Sequence, residues 1–399
     1  MFILGGCGKQ KIISPPTSAP QIPIIRVALE EDLSSGTLSF QDPFKLISEE
    51  AIYILNEDMG KFTVNFTDGI LSLKSEPRSF SFRKIESIEI LPVHEGTFLW
   101  NNIPYSGKLV FTRTHNKVQV INFLPLPQYL EGVIPYEIPS HSEEYYQAVK
   151  AQTIAARTFA LYRMKHPEST SFDLYSDARD QVYQGIRINS PLVEKAIKET
   201  FGIVLVTQQN ELIKVQYHST CGGQIDPPSR RSEEPHERSY LQDHSERNAN
   251  CVVSPLYRWT VKLTTRDILN NMMSLGLVNH SEAQLWKEKG FDMQLEVQSR
   301  KPSGRIDKLS IQINGRSFTL QEWQIRRLFS DKPDYPQLST LCILKSSPSD
   351  PGLLYLIGAG FGHGRGMCQW GAIGQAVDGK SYLDILNFYY PDLVLNQMY

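Results

Sequence analysis

Glu137 lies in the run Gly132-Val-Ile-Pro135-Tyr136-Glu137-Ile138-Pro139. Largely apolar neighbours disfavour the charged form of a carboxyl group. A carboxylic acid that keeps its proton is what glycosidic cleavage requires at the leaving oxygen. Most glycosidases pair two carboxylates, and no second acid in the surrounding motifs is clearly placed to pair with Glu137. The bland alternative is a solvated surface carboxylate after a helix. Lys150 and Arg157, seven residues apart, share one helical face just after it. They form either a solvated basic stripe or a pair that orients Glu137 or holds substrate oxygens, for which arginine offers a planar fork. His218 falls on the polar side of a strand pattern, either as a satisfied, partly buried histidine or as a group that touches substrate or orients the acid.

Glycine alternates at 358, 360, 362, 364 and 366. This is not a dinucleotide fingerprint, since it lacks the βαβ context and the later acid. Alternation strips one side of an extended chain, so that another chain or a flat sugar can approach the backbone. In the second case His363 and Gln369 are polar groups lining a groove. The five cysteines are too few for a disulfide scaffold, and no CxxC occurs. Cys221 and Cys251 bracket a charged, irregular stretch. A disulfide between them closes about 30 residues, worth ~3–4 kcal/mol on the loop-entropy model, and belongs outside the cytosol. The competing readings are two buried thiols, a Cys221–Cys368 bond, or a metal pair.

The elements that must position these groups are legible in outline. Residues 23–120 read as short strands: Ile24–Ala28, Phe62–Phe66 and Ile70–Lys74 about an Asp68-Gly69 turn, Ile85–Leu91, Lys108–Thr112 and Lys117–Asn122. The texture changes at Leu124. Pro127 opens a short helix over Gln128–Ile134, which Pro135 stops. Ser140 and Glu143 are spaced as a capping box before a helix over Ser142–Lys165, with a stripe of Tyr145, Val149, Gln152, Ala156, Phe159 and Tyr162. A further helix runs from Ser190 to Gly202, then a hairpin of Ile203–Thr207 and Leu212–Ser219. Residues 252–345 read as a smaller α+β unit, with a helix capped by Thr264 and Asp267, an Asn314-Gly315 hairpin, and a helix capped by Thr319 and Glu322. Ser381 and Asp384 open a last helix.

The whole chain of 399 residues is 41% hydrophobic and 21% charged, with a net charge of −2. That balance excludes global disorder and gives no support to a phosphate-tracking nucleic-acid binder. No apolar run approaches the ~20 residues that span a bilayer.

Four clusters occur in order: Leu124-Pro-Leu-Pro-Gln-Tyr-Leu-Glu-Gly-Val through Glu137-Ile-Pro139 and Ala148-Val-Lys-Ala-Gln-Thr-Ile-Ala-Ala-Arg-Thr158; Asp180-Gln-Val-Tyr183-Gln-Gly185; Val215-Gln-Tyr217-His-Ser-Thr-Cys-Gly-Gly223; and Gly360-Phe-Gly-His363-Gly-Arg-Gly-Met-Cys-Gln369-Trp-Gly-Ala372. Together, with Leu338-Ser-Thr340, they resemble the family of stage II sporulation protein D and the amidase enhancer LytB, over residues 124–392. The resemblance implies cell-wall chemistry: a lytic transglycosylase that cuts between N-acetylmuramic acid and N-acetylglucosamine, preferably on strands stripped of stem peptides. It places the essential acid at Glu137. It also makes Lys150, Arg157, Tyr183, His218, Ser219, His363 and Gln369 substrate-binding or acid-orienting candidates. A non-catalytic enhancer of a cell-wall amidase shares the same motifs. Some relatives hold zinc through Cys and His around the second cluster. Here that segment reads Ser176-Asp-Ala-Arg-Asp180, without those ligand types, so neither such a metal nor a cofactor is expected.

The expected fold class is α+β: a β-rich accessory domain over 23–123, then a mixed α+β catalytic region over 124–399 with a smaller lobe inserted at about 226–345. Residues 1–22 read as a lipoprotein signal remnant and tether. Leu4-Gly-Gly-Cys7 resembles a lipobox, although only six residues precede the cysteine, and Ser14–Pro23 has linker composition. The expected partners are glycan strands, a cell-wall amidase and, through a lipidated Cys7, the membrane, with no nucleic acid. The expected location is the periplasm or cell envelope.

Overall fold

The structure, a computed structural model, describes residues 21–83, 86–226, 250–330, 338–350 and 352–399. Cys7 and most of the charged stretch between Asp226 and Asn250 lie outside the described residues. The fold is α+β, with two compact units: Met1–Lys214 with Val394–Tyr399, and Val215–Leu393.

The first unit begins with strands. Ile24–Glu30 pairs antiparallel with Lys117–Pro125, which pairs in turn with Lys108–Thr114, inside a seven-stranded sheet. Ile25, Val27, Leu109, Phe111, Val118 and Val120 are fully buried. Strict alternation is absent where neighbouring residues such as Val120 and Ile121 are both buried, because this part of the strand is covered on both faces. A six-stranded sheet includes the hairpin Phe62–Thr67 and Ile70–Lys74. Its turn residues Asp68 and Gly69 take φ of 53° and 77°, as a tight two-residue hairpin demands.

The texture change at Leu124 coincides with the end of a strand and the start of helices. Helix α1 spans Leu126–Glu131 and α2 spans Ile134–Glu137. Pro135 therefore does not stop a helix as expected; it sits in the first turn of α2, where its missing N–H costs nothing. Helix α3 spans Tyr146–Lys165, preceded by a 3-10 turn at Glu143–Tyr145. The cap is Ser142, which accepts from the Glu144 N–H, rather than the expected Ser140–Glu143 box. The expected single apolar stripe is also too narrow. Ala148, Val149, Ala151, Gln152, Ile154, Ala155, Ala156 and Ala160 are all fully buried, so α3 is enclosed on several faces. Its alanines allow that close approach.

Helix α4 spans Pro191–Glu199. The strand after it, Ile203–Val206, pairs with Val394–Gln397 at the chain terminus, not with Leu212–Ser219 as a hairpin. The expected partners meet only at the turn, in an isolated Val206–Leu212 bridge flanked by the Thr207 N–H donating to the Glu211 carbonyl. A fully buried strand needs neighbours wherever the chain supplies them, and here the supplier is almost two hundred residues away.

In the second unit the sheet Met293–Arg300, Ile306–Ile313 and Arg316–Gln321 turns at Asn314-Gly315. A second sheet joins Trp259–Thr264, Leu353–Gly358 and Cys342–Ser346. Helix α5, Thr265–Ser274, carries the expected Thr264–Asp267 capping box. Helices α6, His280–Lys289, and α7, Glu322–Leu328, follow; the α7 box is formed by Gln321 and Gln324, not Thr319 and Glu322. Leu263, Ile268, Met272, Leu309, Ile311 and Leu328 form the core between them. Helices α8, Gln369–Val377, and α9, Tyr382–Tyr389, close the unit, with the Ser381–Asp384 box in place. Among the described residues no helix is long and apolar enough to cross a membrane.

Candidate functional site

In the first unit the first two sequence clusters fold against each other. Glu137 ends α2 and is half-buried, and its Oε1 accepts from the Val182 N–H at 3.4 Å. The residues on either side of Val182 anchor that contact. Gln181 accepts from the Tyr129 hydroxyl at 3.0 Å and donates to the Ala156 carbonyl at 3.3 Å. The Tyr183 hydroxyl donates to Asn122 Oδ1 at 2.8 Å. A Cβ on Gly132 would overlap the Tyr183 ring, so the glycine after α1 admits this packing. Tyr183 is 1% exposed, which makes it a support for the Val182 backbone rather than a surface for substrate. Asn122 was not singled out from sequence, and Tyr129 and Gln181 stood there only as motif members; a glutamine beside a motif tyrosine carries no distinctive signal of its own role.

Lys150 and Arg157 share α3 but have different surroundings. Lys150 pairs with Glu199 at 2.9 Å. Arg157 is fully buried and donates to the Ile203 carbonyl at 3.0 Å and to Thr200 Oγ1 at 3.3 Å. Its fork ties α3 to the end of α4 and the following strand.

In the second unit the remaining motifs converge. Tyr217–His218 pairs parallel with Met367–Cys368, and Phe361 bridges both Thr220 and Leu338. His218 Nδ1 meets the Arg365 carbonyl at 2.9 Å, and the His218 and His363 rings lie 5.6 Å apart. Burial, with Arg305 adding to it, pushes His218 down to about 3. Burial likewise holds His363 well below the usual histidine range, helped by His218 and nearby arginines. Both imidazoles are therefore neutral near pH 7 and act as hydrogen-bonding groups, not cations. Ser219 receives the Trp370 N–H on its carbonyl, and Gln369, at the start of α8, is 5% exposed. Asp226, fully buried, accepts from Lys301 at 2.7 Å and from Ser303, while Glu322 accepts from Arg365.

The glycine run packs on protein. Gly360, Gly362, Gly364 and Gly366 all have positive φ. Added Cβ atoms would overlap the Thr220 carbonyl at Gly360, the Arg305 guanidinium at Gly364 and the Gln216 carbonyl at Gly366. Of the two readings of the stripped face, the close approach of another chain segment is the one realised. Gly366→Ala is expected to destabilise the protein by at least about 2 kcal/mol, from left-handed strain plus the backbone overlap. Gly379→Ala, at φ 80° with nothing within 4 Å, carries only the strain and should cost measurably less in chemical denaturation. Equal losses for the two variants would contradict the packing.

Cys221 and Cys251, the expected disulfide pair, place their sulfurs 3.4 Å apart, within hydrogen-bonding distance and not joined as a disulfide, and Cys368 joins them. Hydrogen bonds from the Cys221 and Cys368 side chains favour the thiolate of Cys251. Cys342 lies apart, its thiol pushed up to about 12 by burial.

Residues 114–206 match the family model of stage II sporulation protein. Over these residues the chain is similar to that sporulation-protein family. The match covers Glu137, Lys150, Arg157 and Tyr183. Residues 225–366 match a second model, a domain of unknown function (DUF8618), which takes in His363; His218, Ser219 and Gln369 fall outside both. An uncharacterized protein of Brachyspira hyodysenteriae is 28% identical over 369 residues, covering 92% of this chain and 91% of its own length. The amidase enhancer of Bacillus subtilis is 26% identical over 300 residues, 67% of this chain and 40% of that protein. Stage II sporulation protein D of the same organism is 26% identical over 296 residues, 70% of this chain and 76% of its own. The matched residues 114–206 are thus contained within the first unit, where Glu137 accepts from Val182 of the Gln181–Gly185 segment.

Proposed function

We propose that this protein acts on the bacterial cell wall, outside the cytoplasm, as a lytic transglycosylase of denuded glycan with Glu137 as its single acid and base. The observation that carries the reading is Glu137 itself: a half-buried carboxylate steadied by the Val182 N–H, inside the residues that match the sporulation-protein family. Glu137 donates its proton to the glycosidic oxygen as the C1–O bond breaks. The muramyl C6 hydroxyl then attacks C1, forming the 1,6-anhydro ring, and its proton returns to the Glu137 carboxylate. One carboxyl group suffices because the nucleophile is internal to the sugar, unlike the paired-carboxylate hydrolases. Tyr183 acts as a positioning residue through the neighbouring Val182 N–H, while Lys150 and Arg157 tie α3 to α4. Of the candidates in the second unit, Ser219 and His363 are half-buried and suited to sugar hydroxyls, whereas His218 and Gln369 are buried and act as supports.

A second reading is a glycan-binding enhancer of a cell-wall amidase, favoured by the similarity to a protein named amidase enhancer. Incubation with purified denuded glycan, followed by mass analysis, separates the two. Products ending in 1,6-anhydro-muramyl residues are expected. Retained glycan binding with no cleavage, together with stimulation of an amidase, would replace the enzyme reading by the enhancer.

A further inference from the structure

Three segments of the second unit bring one sulfur each to a common point. Cys221 follows the Tyr217–His218 strand, Cys251 lies in the short helical turn Asn250–Val253, and Cys368 caps α8. Gly374 of α8 makes the approach feasible, because a Cβ there would overlap the Asn250 carbonyl. All three cysteines are fully buried, and their sulfurs lie within 4.8 Å of one another. We propose that Cys221, Cys251 and Cys368 form a three-thiolate site for a soft, zinc-class divalent cation.

Geometry separates this from a disulfide. A disulfide requires about 2.05 Å between sulfurs, and it would leave one of the three thiols over. Sulfurs about 2.3 Å from a tetrahedral metal are spaced about 3.8 Å apart, close to the 3.4 Å between Cys221 and Cys251. The surrounding backbone is built for thiolates. Cys368 Sγ accepts from the Cys221 N–H at 3.1 Å and the Gly371 N–H at 3.2 Å, and Cys221 Sγ accepts from the Gly223 N–H at 3.3 Å. N–H donors to sulfur stabilise the charged ligand and fix its direction.

Charge balance points the same way. Three thiolates around a divalent ion leave one net negative charge. Arg305, 2% exposed, donates through Nη2 to the Cys221 carbonyl at 3.0 Å, while its Nε and Nη1 have no hydrogen-bond partner among the described residues. The acids nearby are shared with other cations: Asp226 is engaged by Lys301 and Ser303, and Glu322 by Lys301 and Arg365. A buried guanidinium needs an anion, and the metal–thiolate group supplies one. Thiolate donors select zinc-class ions over magnesium or calcium. The site would staple the motif strand, the Cys251 turn and α8 together, independently of whether Glu137 cleaves glycan.

The full-length chain, reduced and stripped with a chelator, is titrated anaerobically with Co²⁺ alone. One equivalent should bind, with sulfur-to-cobalt charge-transfer absorption and the intense visible bands of a tetrahedral ion, and Zn²⁺ should displace it. Cys368→Ser should weaken Co²⁺ by at least the roughly 100-fold that even an outer-sphere partner can contribute, while Cys342→Ser leaves it unchanged. Absence of charge-transfer bands, or unchanged affinity in Cys368→Ser, would overturn the site. So would a cross-linked Cys221–Cys251 peptide, with Cys368 alkylated, from protein isolated without reductant. If Cys368→Ser does not fold, the wild type decides: bound zinc that shields all three cysteines from alkylation until it is chelated supports the site, and free alkylation beforehand excludes it.

Discussion

Glu137→Gln should lower the rate of glycan cleavage by about 10²–10⁴-fold, the usual contribution of a positioned general acid and base. Glutamine keeps the size and polarity of the side chain, and its amide oxygen can still accept from the Val182 N–H. What it lacks is a transferable proton, so both halves of the step fail: protonation of the leaving oxygen and removal of the C6 hydroxyl proton. Glycan binding, measured by pull-down, should persist, because the groups offered to sugar hydroxyls are unchanged. The loss therefore falls on kcat with little change in KM. Cleavage at the wild-type rate in this variant would remove Glu137 from the mechanism.

Arg157→Ala should destabilise the fold by about 3–5 kcal/mol, through the emptied volume and the donors withdrawn from buried acceptors. The guanidinium serves the Ile203 carbonyl, Thr200 Oγ1 and, at 3.5 Å, the Ile197 carbonyl, all around the end of α4. Lys150→Ala, seven residues away on the same helix, should cost less, since the pairing it gives up is with the 43%-exposed Glu199 carboxylate and not with a buried acceptor. Thermal unfolding reads the contrast, with Arg157→Ala lower by on the order of 10 °C. A normal melting temperature combined with lost glycan binding would make Arg157 a substrate ligand instead.

The sequence by itself determined the α+β class, the hairpins at Asp68-Gly69 and Asn314-Gly315, the caps at Thr264 and Ser381, and the likeness of the Glu137 region to the sporulation-protein family. These are local signals. A turn needing positive φ, a capping side chain three residues from its N–H, and an ordered set of motifs are all written within a few residues. Tertiary structure decided matters that depend on distant neighbours. Lys150 and Arg157 look alike by spacing, yet one is paired with Glu199 and the other is fully buried, because only the second faces the α4 end. Ile203–Val206 reads as half of a hairpin but takes the chain terminus as its partner. Pairing distance does not show in strand composition. Two cysteines bracketing a loop suggested one bond, whereas the fold delivers a third sulfur from a residue 117 positions beyond Cys251. The alternating glycines announced a close approach; what approaches, the Gln216–Thr220 segment and Arg305, is set by how the chain returns on itself.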